Sequence, residues 1–143
     1  MLITHPVVTL YSKANKGGRR VGIIGIGGLG QMGVRLAKAM GNTVTAISTS
    51  PNKEAAAREI GADKYANVPI FMENILSFIS FVVSSDPDSM AKAAGSLDLI
   101  LNTVSATHDL NHYLGLLDNK GVLVQLGLVT TPHPVLQLPL MFK

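Results

Sequence analysis

The chain has 143 residues, 47% of them hydrophobic and 15% charged, with a net charge of +3 and no cysteine. Those proportions suit one packed domain and rule against disorder, while the missing cysteines exclude a disulfide scaffold, a cysteine nucleophile and cysteine-ligated zinc. Basic residues are scattered apart from Lys13, Lys16, Arg19 and Arg20, with no basic stripe of interleaved aromatics, which argues against a nucleic-acid partner.

In chain order, the N-terminus lacks the basic region, apolar core and cleavage site of a signal peptide. Val21 to Ile26 is a β-branched run that meets glycines at once, the pattern of a buried parallel strand entering a tight turn. From Leu29 the period becomes helical, with Leu29, Met32, Gly33, Leu36, Ala37 and Met40 on one apolar or small face and Gly41 at the C-cap. Thr43 to Ile47 reads as a second strand. Pro51 opens a second helix, continued by Ala55 to Ile60 and closed by Gly61, with Glu54 and Arg58 spaced for a surface pair.

Val68 to Val83 is strongly apolar, yet short for a bilayer and interrupted by Glu73 and Asn74, so it reads as an extra core or interface helix. Together with a mean hydropathy of +0.33, it points to surface covered by another domain or subunit. Asp86 to Ala94 reads as a helix with Asp86 as N-cap and Pro87 in the first helical position. Leu97 to Val104 reads as a strand, Thr107 to Leu117 as a helix and Gly121 to Leu126 as a strand. The tail from Thr130, with Pro132, Pro134 and Pro139, is irregular or edge-like. Strands alternating with helices predict an α/β fold of the Rossmann type, a doubly wound parallel sheet.

Gly25-Ile26-Gly27-Gly28-Leu29-Gly30 satisfies G-x-G-x-x-G between a predicted strand and a predicted helix, the context that gives the pattern its meaning. Gly25 permits the tight turn, Gly27 lets a pyrophosphate approach the backbone, and Gly30 allows close packing of helix on strand. The N–H groups at the helix start then hold the diphosphate. After the second strand, where an NAD site carries Asp or Glu, the chain reads Ser48-Thr49-Ser50-Pro51-Asn52-Lys53. Hydroxyls and an ammonium suit a 2′-phosphate, which points to NADP.

Catalytic groups are sparse. His108 and His112 stand four apart on the predicted helix, superficially like a zinc pair, but two polar residues on a surface helix explain them more simply. No serine sits in a nucleophile elbow, and no group is placed to polarise a carbonyl and supply its proton.

The segments VGIIGIGGLGQMGVRLAKAMG, STSPNKE, SDPDSMAKAAGSLDLILNTVSATHDLNHYL, GVLVQLGL and PLMFK resemble the cinnamyl-alcohol-dehydrogenase branch of the zinc-dependent medium-chain alcohol dehydrogenases. The resemblance covers Val8 to Lys143 except the apolar run. It implies NADP as cofactor, interconversion of aldehydes and primary alcohols, and a homodimer, while the composition is compatible with a cytoplasmic protein with no membrane or nucleic-acid role. It also implies that Gly25, Gly27, Gly28, Leu29 and Gly30 hold the pyrophosphate and that Ser48, Thr49, Ser50 and Lys53 surround the 2′-phosphate. Thr103 and Val104 would lie near the cofactor, Gly127 and Leu128 would line the nicotinamide side, and Thr9 in VTLYS resembles a position close by.

The departures from that family also carry information. Its catalytic domain, with the ligands of the catalytic zinc and a structural-zinc lobe, has no counterpart here, and His5 falls where a zinc cysteine would stand. Its sheet continues past this chain into a sixth strand. The chain thus resembles a fragment: residues 1–143 as a dinucleotide-binding domain lacking its last strand, with no zinc ligands. In the family a strand like Tyr65-Ala66-Asn67 passes almost directly into a sequence like Ser85-Asp86-Pro87. Residues 68–84 therefore read as an insertion outside the working fold, of the character of a translated intron. The alternative function is a non-catalytic nucleotide-binding or interaction module. A Rossmann-like methyltransferase is disfavoured because no acidic residue precedes the glycine turn.

Overall fold

The structure is a computed structural model that describes residues 17–62, 79–130, 132 and 135–136. Five strands, β1 (Arg20–Ile24), β2 (Thr43–Ser48), β3 (Ile79–Val83), β4 (Leu97–Asn102) and β5 (Leu117–Gln125), form one sheet in the order β3-β2-β1-β4-β5. Every pairing is parallel. Successive parallel strands need crossovers, and among the described residues four α-helices are seen on or between them: α1 (Gly28–Ala39), α2 (Glu54–Ala62), α3 (Pro87–Lys92) and α4 (Asn111–Leu114). The strand order turns back between β1 and β4. That is the switch point at which an open α/β sheet leaves a crevice beyond its carboxyl ends.

Both faces of the sheet are covered. Val21, Ile23, Val44, Ala46, Leu99 and Leu101 bury one face against Val34 and Ala37 of α1 and Ala57 and Ile60 of α2. Ile24, Ile47, Val82 and Ile100 bury the other against Met90, Tyr113 and Leu114. Alternate residues of a strand face opposite ways, so a strand covered on both sides reads as a continuous apolar run, as in Val21 to Ile24.

The first βαβ unit follows its expectation closely. Gly41 takes φ +77° just beyond α1, and its N–H bonds to the Lys38 carbonyl. Asp86 caps α3 by accepting from the N–H groups of Asp88 and Ser89. Glu54 and Arg58 pair at 2.7 Å. The inward face of α1 differs from the expected one, because Gly30, Gly33, Val34 and Ala37 are buried while Leu29 and Met32 are exposed. Contact between Gly30 and the turn fixes the rotation of the helix, and the two large side chains then fall outside.

Two other expectations are corrected. Residues 79–83 form strand β3 against β2, so the end of the apolar run belongs to the sheet and is neither helix nor excursion. Valine and phenylalanine at that edge satisfy the open ladder of β2, and Val82 is buried in the core. The strand expected at Tyr65-Ala66-Asn67 and the rest of the run lie outside the described residues. The helix expected over Thr107 to Leu117 is only Asn111–Leu114, because β5 begins at Leu117. The register jumps between Leu97 and Leu99, where the β5 side makes an extra loop at Asp118 to Gly121 with Lys120 at φ +64°.

That loop brings Asp118 to the amino ends of the strands. Arg20 Nη2 lies 2.6 Å from Asp118 Oδ2 and also pairs with Asp98 Oδ1. The Arg20 backbone N–H donates to Asp98 Oδ2 at 2.8 Å. The hydrogen bonds from Arg20 hold both carboxyls below the usual aspartate range. This cluster pins β1, β4 and β5 at the end opposite the crevice.

Candidate functional site

At the carboxyl ends of the strands the glycine turn passes from β1 into α1. Gly25 has φ +86°, a conformation open to glycine and costly for other residues, and a Cβ there would sit 2.7 Å from Val104 Cγ2. A Cβ on Gly30 would overlap the Gly25 carbonyl oxygen. Gly27 and Gly28 have nothing within 4 Å of a built Cβ, so the turn opens outward to space. Gly27 is the N-cap of α1 with no side chain to cap it. The N–H groups of Gly28, Leu29 and Gly30 therefore have no acceptor within the helix. Turn and helix start together present N–H groups and the positive end of a helix dipole to that space.

The turn is fastened to the end of β4. Thr103 Oγ1 lies 2.8 Å from the Ile24 carbonyl and 3.1 Å from that of Gly25, and the Thr103 N–H donates to Ile24. Gly127, past β5, donates its N–H to the Asn102 carbonyl, and a Cβ there would overlap the Val104 carbonyl. Leu128 beside it is exposed.

A cleft of about 190 Å³ opens beside the turn. Its apolar floor is Ile24, Ile26, Ile47 and Val104, and its polar wall includes Ser48, Thr49 and Lys53. His108 and Tyr113 also line it, and among the described residues no carboxylate does. Ser48 is buried, and its Oγ accepts from the Ser50 N–H at 3.2 Å, leaving its O–H able to donate. Lys53 ends the 3₁₀ turn Pro51–Lys53 and is exposed, with no carboxylate partner among the described residues. Ser85 Oγ donates to the Thr49 carbonyl and Ser84 N–H to the Ser48 carbonyl, so β3 supports this wall.

The structure thus brings together Gly25, Gly27, Gly28, Leu29, Gly30, Ser48, Thr49, Ser50, Lys53, Thr103, Val104, Gly127 and Leu128 at one end of the sheet. Thr9 and His5 lie outside the described residues. Sequence reasoning missed His108 and Tyr113 as cleft residues, and Asn102 and Gln125 as their support. A signal was present: Asn102 and Gln125 are polar residues ending the apolar runs of two parallel strands. His108 and His112 do not converge on a metal. His108 Nδ1 faces the Ala106 carbonyl at 2.7 Å, His112 Nε2 faces the Ser84 carbonyl at 2.8 Å, and Tyr113 stacks edge-on between them.

A profile of the zinc-binding dehydrogenases matches residues 28–143. The chain belongs to the zinc-binding dehydrogenase family. Cinnamyl alcohol dehydrogenase 8 of Arabidopsis thaliana is 42% identical over 134 residues, covering 93% of this chain and 33% of that protein. NADP-dependent alcohol dehydrogenase C 1 of Mycolicibacterium smegmatis is 44% identical over 138 residues, covering 94% of this chain and 35% of that protein. The solved structure of a cinnamyl alcohol dehydrogenase from Sorghum bicolor superposes with a TM-score of 0.79 at 36% identity, covering 95% of this chain and 35% of that one. This zinc-binding dehydrogenase chain spans about a third of the length of the relatives it matches.

The zinc of the family name does not fit the residues present. Cysteine is absent from the sequence, and no three His, Asp or Glu side chains gather among the described residues. A dinucleotide does fit: an uncapped helix start, open space at Gly27 and a cleft that holds Lys53 and, among the described residues, no carboxylate adjoin one another. Among the described residues no helix is long and apolar enough to cross a membrane.

Proposed function

We propose that this chain is the NADP(H)-binding part of an alcohol dehydrogenase that interconverts aldehydes and primary alcohols by hydride transfer. The observation that carries this reading is the cleft at the switch point, where Ser48, Thr49 and Lys53 stand and, among the described residues, no carboxylate does. A carboxylate at that strand end would accept bonds from ribose hydroxyls and repel a 2′-phosphate. An ammonium and hydroxyls make charge-assisted bonds to it. Ser50 adds its hydroxyl from the same loop. The NADP-dependent relative from Mycolicibacterium smegmatis supports the same choice.

In this reading Gly25, Gly27, Gly28, Leu29 and Gly30 hold the diphosphate through backbone N–H groups. The Thr103 and Gly25 hydrogen bond keeps that turn in place before the cofactor arrives. Val104, Gly127 and Leu128 border the nicotinamide side. When bound, the nicotinamide gives or takes the hydride. The chain's own residues bind and orient the dinucleotide. A cytoplasmic homodimer is the setting that the family likeness supports.

Titration of NADPH into the chain, followed by nicotinamide fluorescence, tests the reading. Saturable binding is expected, and no saturable signal overturns it. The unfit zinc donor set favours one further statement, that this chain alone turns over no aldehyde. Oxidation of NADPH by cinnamaldehyde with the purified chain would contradict that.

A further inference from the structure

Asn102 is wholly buried at the carboxyl end of β4, and its side chain uses every polar group it has. Its Oδ1 accepts from the Val104 N–H at 3.2 Å. Its Nδ2 donates to Gln125 Oε1 at 2.6 Å and lies 2.9 Å from His108 Nε2. Gln125 Nε2 in turn donates to the Gly127 carbonyl at 2.8 Å and to the Val104 carbonyl at 3.3 Å. We propose that Asn102 and Gln125 are positioning residues that tie the His108 wall of the cleft to Gly127 beyond β5, and that the tie holds only while His108 is neutral. The inference rests on reading this cleft as a dinucleotide site.

The proton arrangement follows from the partners. The Ala106 carbonyl can only accept, so His108 Nδ1 carries a hydrogen. In the neutral ring Nε2 is then a lone pair, and it accepts from Asn102 Nδ2. A second ring proton would set Nε2–H against that NH₂ group. Turning the Asn102 amide over would not help, because its NH₂ would then oppose the Val104 N–H and its oxygen would oppose Gln125 Oε1. Protonation of His108 therefore breaks the chain of bonds somewhere between the cleft wall and Gly127.

Among the described residues, three titratable or charged groups stand around or beside His108. Tyr113 of α4 meets it edge-on with ring centroids 5.7 Å apart. Lys53 stands in the same cleft on the loop after β2. Asp109, its chain neighbour, turns its carboxylate to Asn111. From β4 it meets the neutral amide of Asn102, behind which stands that of Gln125. A ligand that binds the tied arrangement must then bind more weakly as acid charges His108.

Two measurements on the full chain test this. In ¹⁵N-labelled protein without ligand, the Gly127 amide signal is expected to shift with the His108 ring titration. In Gln125→Leu, whose replaced side chain stands at the exposed end of β5, the Gly127 signal is expected to stay in place when acid moves the His108 ring signals. A Gly127 signal that ignores His108 in the unaltered chain, or that follows it in Gln125→Leu, overturns the proposal. The second measurement is the NADPH dissociation constant at about pH 8 and about pH 5.5 in the unaltered chain and in His108→Gln. The 2′-phosphate itself titrates near pH 6, and its contribution is common to both proteins. The unaltered chain is expected to lose roughly fivefold more affinity than His108→Gln, and equal losses overturn the proposal. Absence of NADPH binding at either pH would overturn the cofactor reading, and the amide shifts would still decide the tie.

Discussion

The Cα of Gly30 sits so close to the Gly25 carbonyl oxygen that a β-carbon on the first would overlap the second. The obstacle is backbone, which has no rotamer to move away. Gly30→Ala is therefore expected to lower stability by about 2 kcal/mol or more, measured as a fall in the urea midpoint. Gly27 is the internal comparison, since a Cβ there meets nothing within 4 Å. Gly27→Ala should leave the urea midpoint within about 1 kcal/mol of the original while weakening NADPH binding, because the new methyl group occupies space the diphosphate needs.

Lys53 has no carboxylate partner among the described residues and lines the cleft. Lys53→Ala should weaken NADPH by about 1–3 kcal/mol and NADH by much less, since only the former carries the 2′-phosphate. Parallel calorimetric titrations check it, and equal losses for both cofactors would remove Lys53 from the site.

The Arg20 cluster makes a separate statement about acid. Hydrogen bonding from Arg20 lowers the Asp98 carboxyl below its ordinary 3.8. A depressed folded value means the contribution is full above the unfolded value and is lost as pH falls through the folded one. Asp98→Asn should therefore cost roughly 1 kcal/mol at neutral pH, discounted for the solvent exposure of the pair. It should also flatten the decline in stability below about pH 4. Urea denaturation across that range, with the variant alongside, is the check.

Val82 is buried at the edge strand that ends the apolar run. Val82→Asp places a charge in that core and should destabilise by about 3 kcal/mol or more. Deleting residues 68–84 removes all of β3 and is expected to abolish cooperative unfolding. An unchanged melting transition after that deletion would show that another segment can complete the sheet.

These cases also show what the sequence made legible. The turn at Gly25 was readable because much of its constraint is local: Gly25 takes a positive φ, and a Cβ on Gly30 would overlap the carbonyl of Gly25 within the same turn. The capping of α3 by Asp86 was readable for the same reason. Strand β3 was not, because an apolar run buried on both sides has no period to separate strand from helix. Nor was the His108 wall, where Asn102, His108 and Gln125 meet only once β4 and β5 lie side by side. Leu29 and Met32 have the spacing of a buried face, yet the packing of Gly30 turns them out.

The central claim is that the loop from Ser48 to Lys53 selects the phosphorylated dinucleotide. The most direct measurement is the pair of dissociation constants for NADPH and NADH, determined on the same preparation of the chain at the same salt and pH. NADPH is expected to bind at least about tenfold more tightly, the factor that one charge-assisted contact supplies. NADH binding equal to or tighter than NADPH would contradict the account.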